Sequence, residues 1–112
     1  MVKMNSIEKR VNLFSVLADP TRLKLLGMLA QQQEPNALCV NALGYKLGIT
    51  QSAVSQHLKV LKSAGLVKGE RRGYRMHYFI NEKALYQAQQ LISGALPIRR
   101  GQAEKKAGNA AG

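Results

Sequence analysis

Apolar residues recur along the chain with a period that begins helical, shortens to two, and returns to helical. Ile7, Val11, Phe14 and Leu17 follow one another at spacings of 4, 3 and 3, which predicts a helix from Asn5 to Leu17. Asn5 stands three residues before Glu8, the arrangement in which each side chain can accept the other's backbone N–H. Asp19-Pro20 ends that helix and opens a second, because aspartate caps N-terminal N–H groups and proline loses nothing at the first helical position. Leu23, Leu26, Leu29 and Ala30 form the expected buried stripe of this second helix, and Gln31 to Asn36, with Pro35, reads as a polar loop. A third helix is expected from about Val40 to Leu47, closed by Gly48 as a left-handed cap. Thr50 caps a fourth, from Gln51 to about Ala64, and Gly65 stops it.

From Leu66 the period is two. Leu66 to Arg71 and Arg75 to Ile80 read as strands, with Met76, Tyr78 and Ile80 alternating against Arg75, His77 and Phe79. Arg72-Gly73-Tyr74 joins them as a basic hairpin tip in which Gly73 can take a left-handed turn. Asn81 caps a fifth helix from Glu82 to about Ala95, with Leu85, Ala88, Leu91, Ile92 and Ala95 along one side and Pro97 at its end. The predicted order is ααααββα, mainly α with a small β-hairpin. Two helices joined by Leu47-Gly48-Ile49-Thr50 have the spacing of a helix-turn-helix, whose second helix enters the DNA major groove, and the hairpin supplies a wing. Residues 1–98 are read as this one domain, and 99–112, mostly Gly, Ala, Lys and Arg without apolar period, as a basic disordered tail.

Rotation at about 100° per residue sorts the fourth helix into two faces. Val54, Leu58 and Leu61 share a narrow inward arc. Ser52, Gln56, Lys59 and Ser63 lie opposite, with Ser55 at their edge and no acid among them. Glutamine can bond adenine bidentately, serine can serve base or phosphate, and lysine can reach guanine or phosphate. The first turn, from Thr50 and Gln51, adds N–H groups and the positive end of the helix dipole. His57 falls on the flank, where it can meet a phosphate or pack against a neighbouring helix; a supporting role is expected. Arg71, Arg72, Tyr74 and Arg75 crowd the hairpin tip, where arginines can follow the DNA backbone or enter a narrow minor groove. Taken alone, each of these faces would also suit an ordinary solvated surface.

Charge strengthens the DNA reading. The chain carries 17 Lys and Arg against 6 Asp and Glu, a net charge of +11. Seven of the basic residues (Lys46, Lys59, Lys62, Lys68, Arg71, Arg72, Arg75) fall between positions 46 and 75 with a single acid, Glu70. Such a field attracts polyanions and gives salt-sensitive affinity for nucleic acid. The apolar runs are far too short to span a bilayer, the N-terminus lacks the pattern of a secretory signal, and Cys39 alone allows no intrachain disulfide, so a cytoplasmic location without membrane contact is expected.

Four segments, Leu17-Ala18-Asp19-Pro20-Thr21-Arg22-Leu23, Leu38-Cys39-Val40, Thr50 to Leu61 and Ala64-Gly65-Leu66-Val67, resemble the ArsR family of winged-helix repressors. The resemblance runs from about Ser6 to Leu96 in the same element order. It implies a homodimer joined through the first and fifth helices, bound to double-stranded DNA at an imperfect inverted repeat, with an inducer that alters the spacing of the two reading helices. Many members sense thiophilic metals through two cysteines at positions matching Cys39 and Asn41, with an acid at the position of Ala42; only Cys39 is present here. A second family site on the fifth helix uses Asp, His and Glu, and none occurs between Lys83 and Arg100. No metal or other cofactor is therefore expected, and the effector is unknown. The cysteine pair through which some relatives sense oxidants could form here only between two chains.

An enzyme is not expected. Ser55 and His57, two apart on a helix, point in different directions, and no phosphate loop, paired-carboxylate motif or ligand cluster is present. Two other binding classes stay open from sequence: a nonspecific architectural nucleic-acid-binding protein, and a winged helix used for protein contacts.

Overall fold

Residues 5–32, 38–96 and 98 are described in the computed structural model. They form α1 (Ser6–Leu17), α2 (Pro20–Gln31), α3 (Val40–Leu47), α4 (Gln51–Ser63), β1 (Val67–Arg72), β2 (Arg75–Ile80) and α5 (Glu82–Ala95). The expectations for residues 33–37, for Pro97 and for the tail at 99–112 lie outside the described residues.

Side-chain caps start four of the helices as their sequences predict. Asn5 Oδ1 accepts the Glu8 N–H at 2.8 Å while Glu8 Oε2 accepts the Asn5 N–H at 3.3 Å. Asp19 Oδ2 takes the Arg22 N–H at 2.9 Å, Thr50 Oγ1 the Ala53 N–H at 3.0 Å, and Asn81 Oδ1 the Ala84 N–H at 3.3 Å. The turn between α3 and α4 depends on two glycines. Gly48 has φ of 68°, a conformation that costs other residues strain, and lets the Ile49 N–H return to the Gly44 carbonyl at 3.0 Å. At Gly44 itself a Cβ would stand 3.0 Å from the Ile49 carbonyl and 3.5 Å from Val54 Cγ2. The missing side chain is what allows α3 to close on the entry of α4.

The core gathers one to three residues from nearly every element: Leu13 and Val16 of α1, Leu25 and Leu29 of α2, Leu43 of α3, Val54, Leu58 and Leu61 of α4, then Leu66, Val67 and Ala88. Each fully buried aliphatic side chain contributes roughly 1.5–3 kcal/mol relative to exposure. For α4 the inward arc is the one expected. For α2 the expectation needs correcting: Leu25 and Leu29 face inward, whereas Leu23 is 54% exposed, Ala30 is exposed and Leu26 is only partly covered. Leucines at 23, 25, 26 and 29 surround this helix, so spacing alone offers two competing stripes. On α1 three of the four predicted positions point outward, Ile7 at 64% and Val11 at 61% exposure with Phe14 exposed too, while Leu17 packs against the core.

The two strands pair antiparallel from Val67↔Ile80 to Arg72↔Arg75. Arg72 thus belongs to the strand, and the loop is only Gly73-Tyr74, with Gly73 at φ of 65° in the first loop position. One contact was not legible in the sequence. Cys39 pairs with His77 on the other edge of β2, so β2 is flanked on both sides. Gln32 holds this corner, donating to the Tyr78 carbonyl at 2.7 Å and accepting from the Leu38 N–H at 2.8 Å. α5 returns across α1, where the Arg10 guanidinium lies over Gly94 so closely that a Cβ there would be 2.6 Å from it. No described helix is long and apolar enough to cross a membrane.

Candidate nucleic-acid interface

Helix α4 is seated by Val54, Leu58 and Leu61, each with no exposed surface, and this fixes which side chains face outward. Thr50, Gln51, Ser52, Ser55, Gln56 and Lys59 are all exposed. The first-turn N–H groups of a helix have no intrahelical acceptor, and here only that of Ala53 is taken by the Thr50 hydroxyl. The start of α4 therefore combines N–H donors, the dipole's positive end and short polar side chains, a combination suited to phosphate and base edges. Gln56 and Lys59 also stand on the rim of an open groove of about 460 Å³ between α1 and α4, opposite Asn12 and Val16.

The end of α4 is set by backbone hydrogen bonding. The Gly65 N–H donates to the Lys62 carbonyl at 2.9 Å and the Leu66 N–H to the Leu61 carbonyl at 3.0 Å, with Gly65 at φ of 80°. Leu66, buried beyond this turn, starts the chain into β1, and α4 packs against β1. Helix α4 and the hairpin are thus parts of one packed unit.

Strand register divides the hairpin's basic residues between two faces, since directly paired residues share a side. Arg71 lies with Met76, Gly69 and Tyr78, and Arg72 lies with Arg75, Glu70 and His77. Arg71, Tyr74 and Arg75 are exposed. Arg72 is half-buried: its Nε is 3.6 Å from Glu70 Oε1 and its guanidinium carbon 4.9 Å from the centre of the Phe79 ring. The four residues expected to act alike at the tip therefore do not. Three present themselves outward, and Arg72 also braces the strand pair. Tyr74 and Arg75 border a small cavity with Cys39, Val40 and Asn41, which places the wing tip beside the start of α3.

His57 is turned away from the outward face. Its Nδ1 lies 3.7 Å from Asp19 Oδ2 and 3.5 Å from Arg22 NH1. Arg22 also donates through Nε to the Val16 carbonyl and through NH2 to the Ser15 carbonyl at 3.3 Å, so one side chain ties the end of α1 to α2 and α4. The Asp19 pKa is lowered chiefly by the hydrogen bond from the Arg22 N–H, with the His57 and Arg22 charges adding to that and desolvation opposing it. Sequence reading placed His57 on the flank but had no signal for Arg22 as its partner. Among the described residues no three His, Cys, Asp or Glu side chains are gathered as a metal site would need.

Residues 19–68 match the model of the bacterial regulatory protein, arsR family. An uncharacterized HTH-type transcriptional regulator of Methanocaldococcus jannaschii is 35% identical, over 71% of this chain and 88% of the relative. A transcriptional repressor SmtB homolog of Synechocystis is 37% identical over 70% of this chain, and the match spans 56% of that longer relative. Among solved structures, the homodimeric winged helix-turn-helix DNA-binding domain from Mycobacterium bovis, described as a possible ArsR-family regulator, is similar with a TM-score of 0.64 and 27% identity, covering 85% of this chain and 90% of that one.

Proposed function

This chain belongs to the arsR family of bacterial regulatory proteins, and on that premise we propose that it is a dimeric repressor that reads an inverted-repeat operator with α4 and grips the flanking backbone with its β1–β2 wing. The observation that carries the reading is the division of α4 into a fully buried Val54/Leu58/Leu61 edge and an exposed, acid-free polar edge. Ser52 and Gln56 read base edges, with Ser55 beside them. Thr50, Gln51 and Lys59 hold phosphates on either side of the groove. Arg71, Tyr74 and Arg75 contact the adjoining backbone or minor groove, with Arg72 supporting the wing from its place against Phe79. Lacking charged specificity groups on α4 other than lysines, the protein draws much of its affinity from counterion release and its discrimination from a few polar contacts.

The dimer is assigned to α1 and α5. Their outward apolar residues, Ile7, Val11 and Phe14 on α1 and Tyr86 and Leu96 on or just after α5, are left exposed by the described residues of one chain. Exposed apolar patches of this kind mark association surfaces, and the homodimeric Mycobacterium bovis neighbour supports association as a dimer. Two-fold symmetry would set the two α4 helices about one helical turn of DNA apart, roughly 34 Å. Repression then follows from occupancy of a promoter in the cytoplasm, and release from any effector that changes that separation.

Selection of bound duplexes from a random-sequence pool tests this reading. Enriched sequences should contain an inverted repeat, bound at physiological salt at least about 10³-fold more tightly than a scrambled duplex of the same composition. A ratio near one would instead identify an architectural binder, and no measurable affinity would point to protein contacts.

A further inference from the structure

His57 lies on the reading helix but is not part of its outward face. Its side chain is 24% exposed and rests in the elbow between α1 and α2. Two groups converge on one atom there: Arg22 NH1 at 3.5 Å and Asp19 Oδ2 at 3.7 Å, both from Nδ1. That atom can accept a hydrogen bond only when it carries no proton and can donate only when it does. Arg22 is a donor in every state, and Asp19 as a carboxylate is an acceptor. The two partners therefore require opposite states of Nδ1: the neutral Nε2–H tautomer serves Arg22, and a proton on Nδ1 serves Asp19.

We propose that His57 is a positioning residue for DNA recognition whose Nδ1 exchanges Arg22 for Asp19 on protonation, so that the seating of α4 depends on pH. This rests on the reading of α4 as the DNA-contacting helix. In the neutral ring with its proton on Nε2, Arg22 bridges the His57 Nδ1 and the Ser15 and Val16 carbonyls, which holds α4 against the end of α1. Protonation replaces that link with repulsion between two cations and turns the ring toward Asp19. Asp19 Oδ2 is already the cap of α2, accepting the Arg22 N–H at 2.9 Å, so the new ion pair draws on the same oxygen that starts that helix. Among the described residues, the charged groups in contact with this ring are Asp19 and Arg22, both at the start of α2, and α1 contributes the Ser15 and Val16 carbonyls. Histidine is the side chain whose ordinary charge change lies nearest neutrality, which sets the span of the test.

The test compares an operator duplex, enriched by selection at pH 8, with a scrambled duplex of equal length at constant ionic strength from pH 8 to 5.5. Their affinity ratio cancels the added positive charge, which strengthens both complexes alike. The ratio should fall by about three- to tenfold with acid in the native protein, the scale of one hydrogen bond's net contribution. His57→Asn keeps an acceptor near the Nδ1 position without a titrating ring; it should hold the native ratio at pH 8 and stay flat with pH. His77→Gln removes the other histidine and should leave the fall intact. A flat native profile, or a His57→Asn protein that titrates like the native one, would overturn the proposal while leaving α4 as the reading helix. Failure to enrich any duplex at pH 8 would reject the DNA-reading assignment and this proposal together.

Discussion

Gln56 projects one amide, with an acceptor oxygen and a donor NH2, from a helix face that carries no carboxylate, so its hydrogen-bonding capacity is available to a base. Replacing it with alanine should cost roughly 1–3 kcal/mol of discrimination between operator and random duplex, with nonspecific affinity nearly unchanged, as read by competition binding. The wing arginines should behave differently from one another. Arg75→Ala is expected to weaken binding to every sequence and to reduce the salt slope by about one unit. Arg72→Ala removes a guanidinium already engaged with Phe79 and Glu70. It should therefore lower thermal stability as well as affinity. Comparing melting curves and salt titrations of the two variants separates these roles. The outward residues of α4 were legible because valine and leucine at 54, 58 and 61 define one arc without competition. Arg72 was not, because its partner Phe79 becomes a neighbour only through strand register.

At the scale of elements, the caps and glycine stops were the most readable features, since each depends on a residue or two acting on its own backbone. Asn5, Asp19, Thr50 and Asn81 all cap where expected, and Gly48 and Gly65 take the positive φ angles their positions require. The stripe of α2 and the third partner of the sheet were not readable. The first is ambiguous among four leucines, and the second is a backbone pairing of Cys39 with His77 that no side-chain pattern encodes. The Asp19 cap yields a prediction in pH. Its carboxyl titrates below its ordinary range in the folded protein because the Arg22 N–H binds the ionised form. A lowered folded-state pKa contributes stability that is fully present above the unfolded-state value and is lost as pH falls through the folded one. Asp19→Asn keeps a cap of similar quality without the charge. Its deficit in melting temperature relative to the native protein should be present near neutrality and vanish in acid; a deficit constant with pH would show that the charge is irrelevant.

For the whole molecule, the proposed α1 and α5 interface bears on whether one chain is a complete unit. Periodicity identified the Ile7, Val11 and Phe14 stripe but could not say whether it covers the chain's own core or a partner. The structure turns it outward while Leu13 and Val16 do the inward packing. Val11→Asp places a charge in the middle of that exposed stripe and disturbs no buried residue. It should shift the protein to monomer in analytical ultracentrifugation with its fold retained. Operator affinity should drop much further than random-duplex affinity, because two half-sites can no longer be engaged together. A dimer that survives this change would remove α1 from the interface.

Backbone amide shifts of the labelled protein, followed by NMR as an inverted-repeat operator is added, address the central claim most directly. Perturbations should concentrate at residues 50–56 and 71–75, with the buried edge of α4 and the middle of α2 changing least. Shifts centred on α5 or the outer face of α2, with the start of α4 silent, would contradict the assignment of α4 as the element that reads DNA.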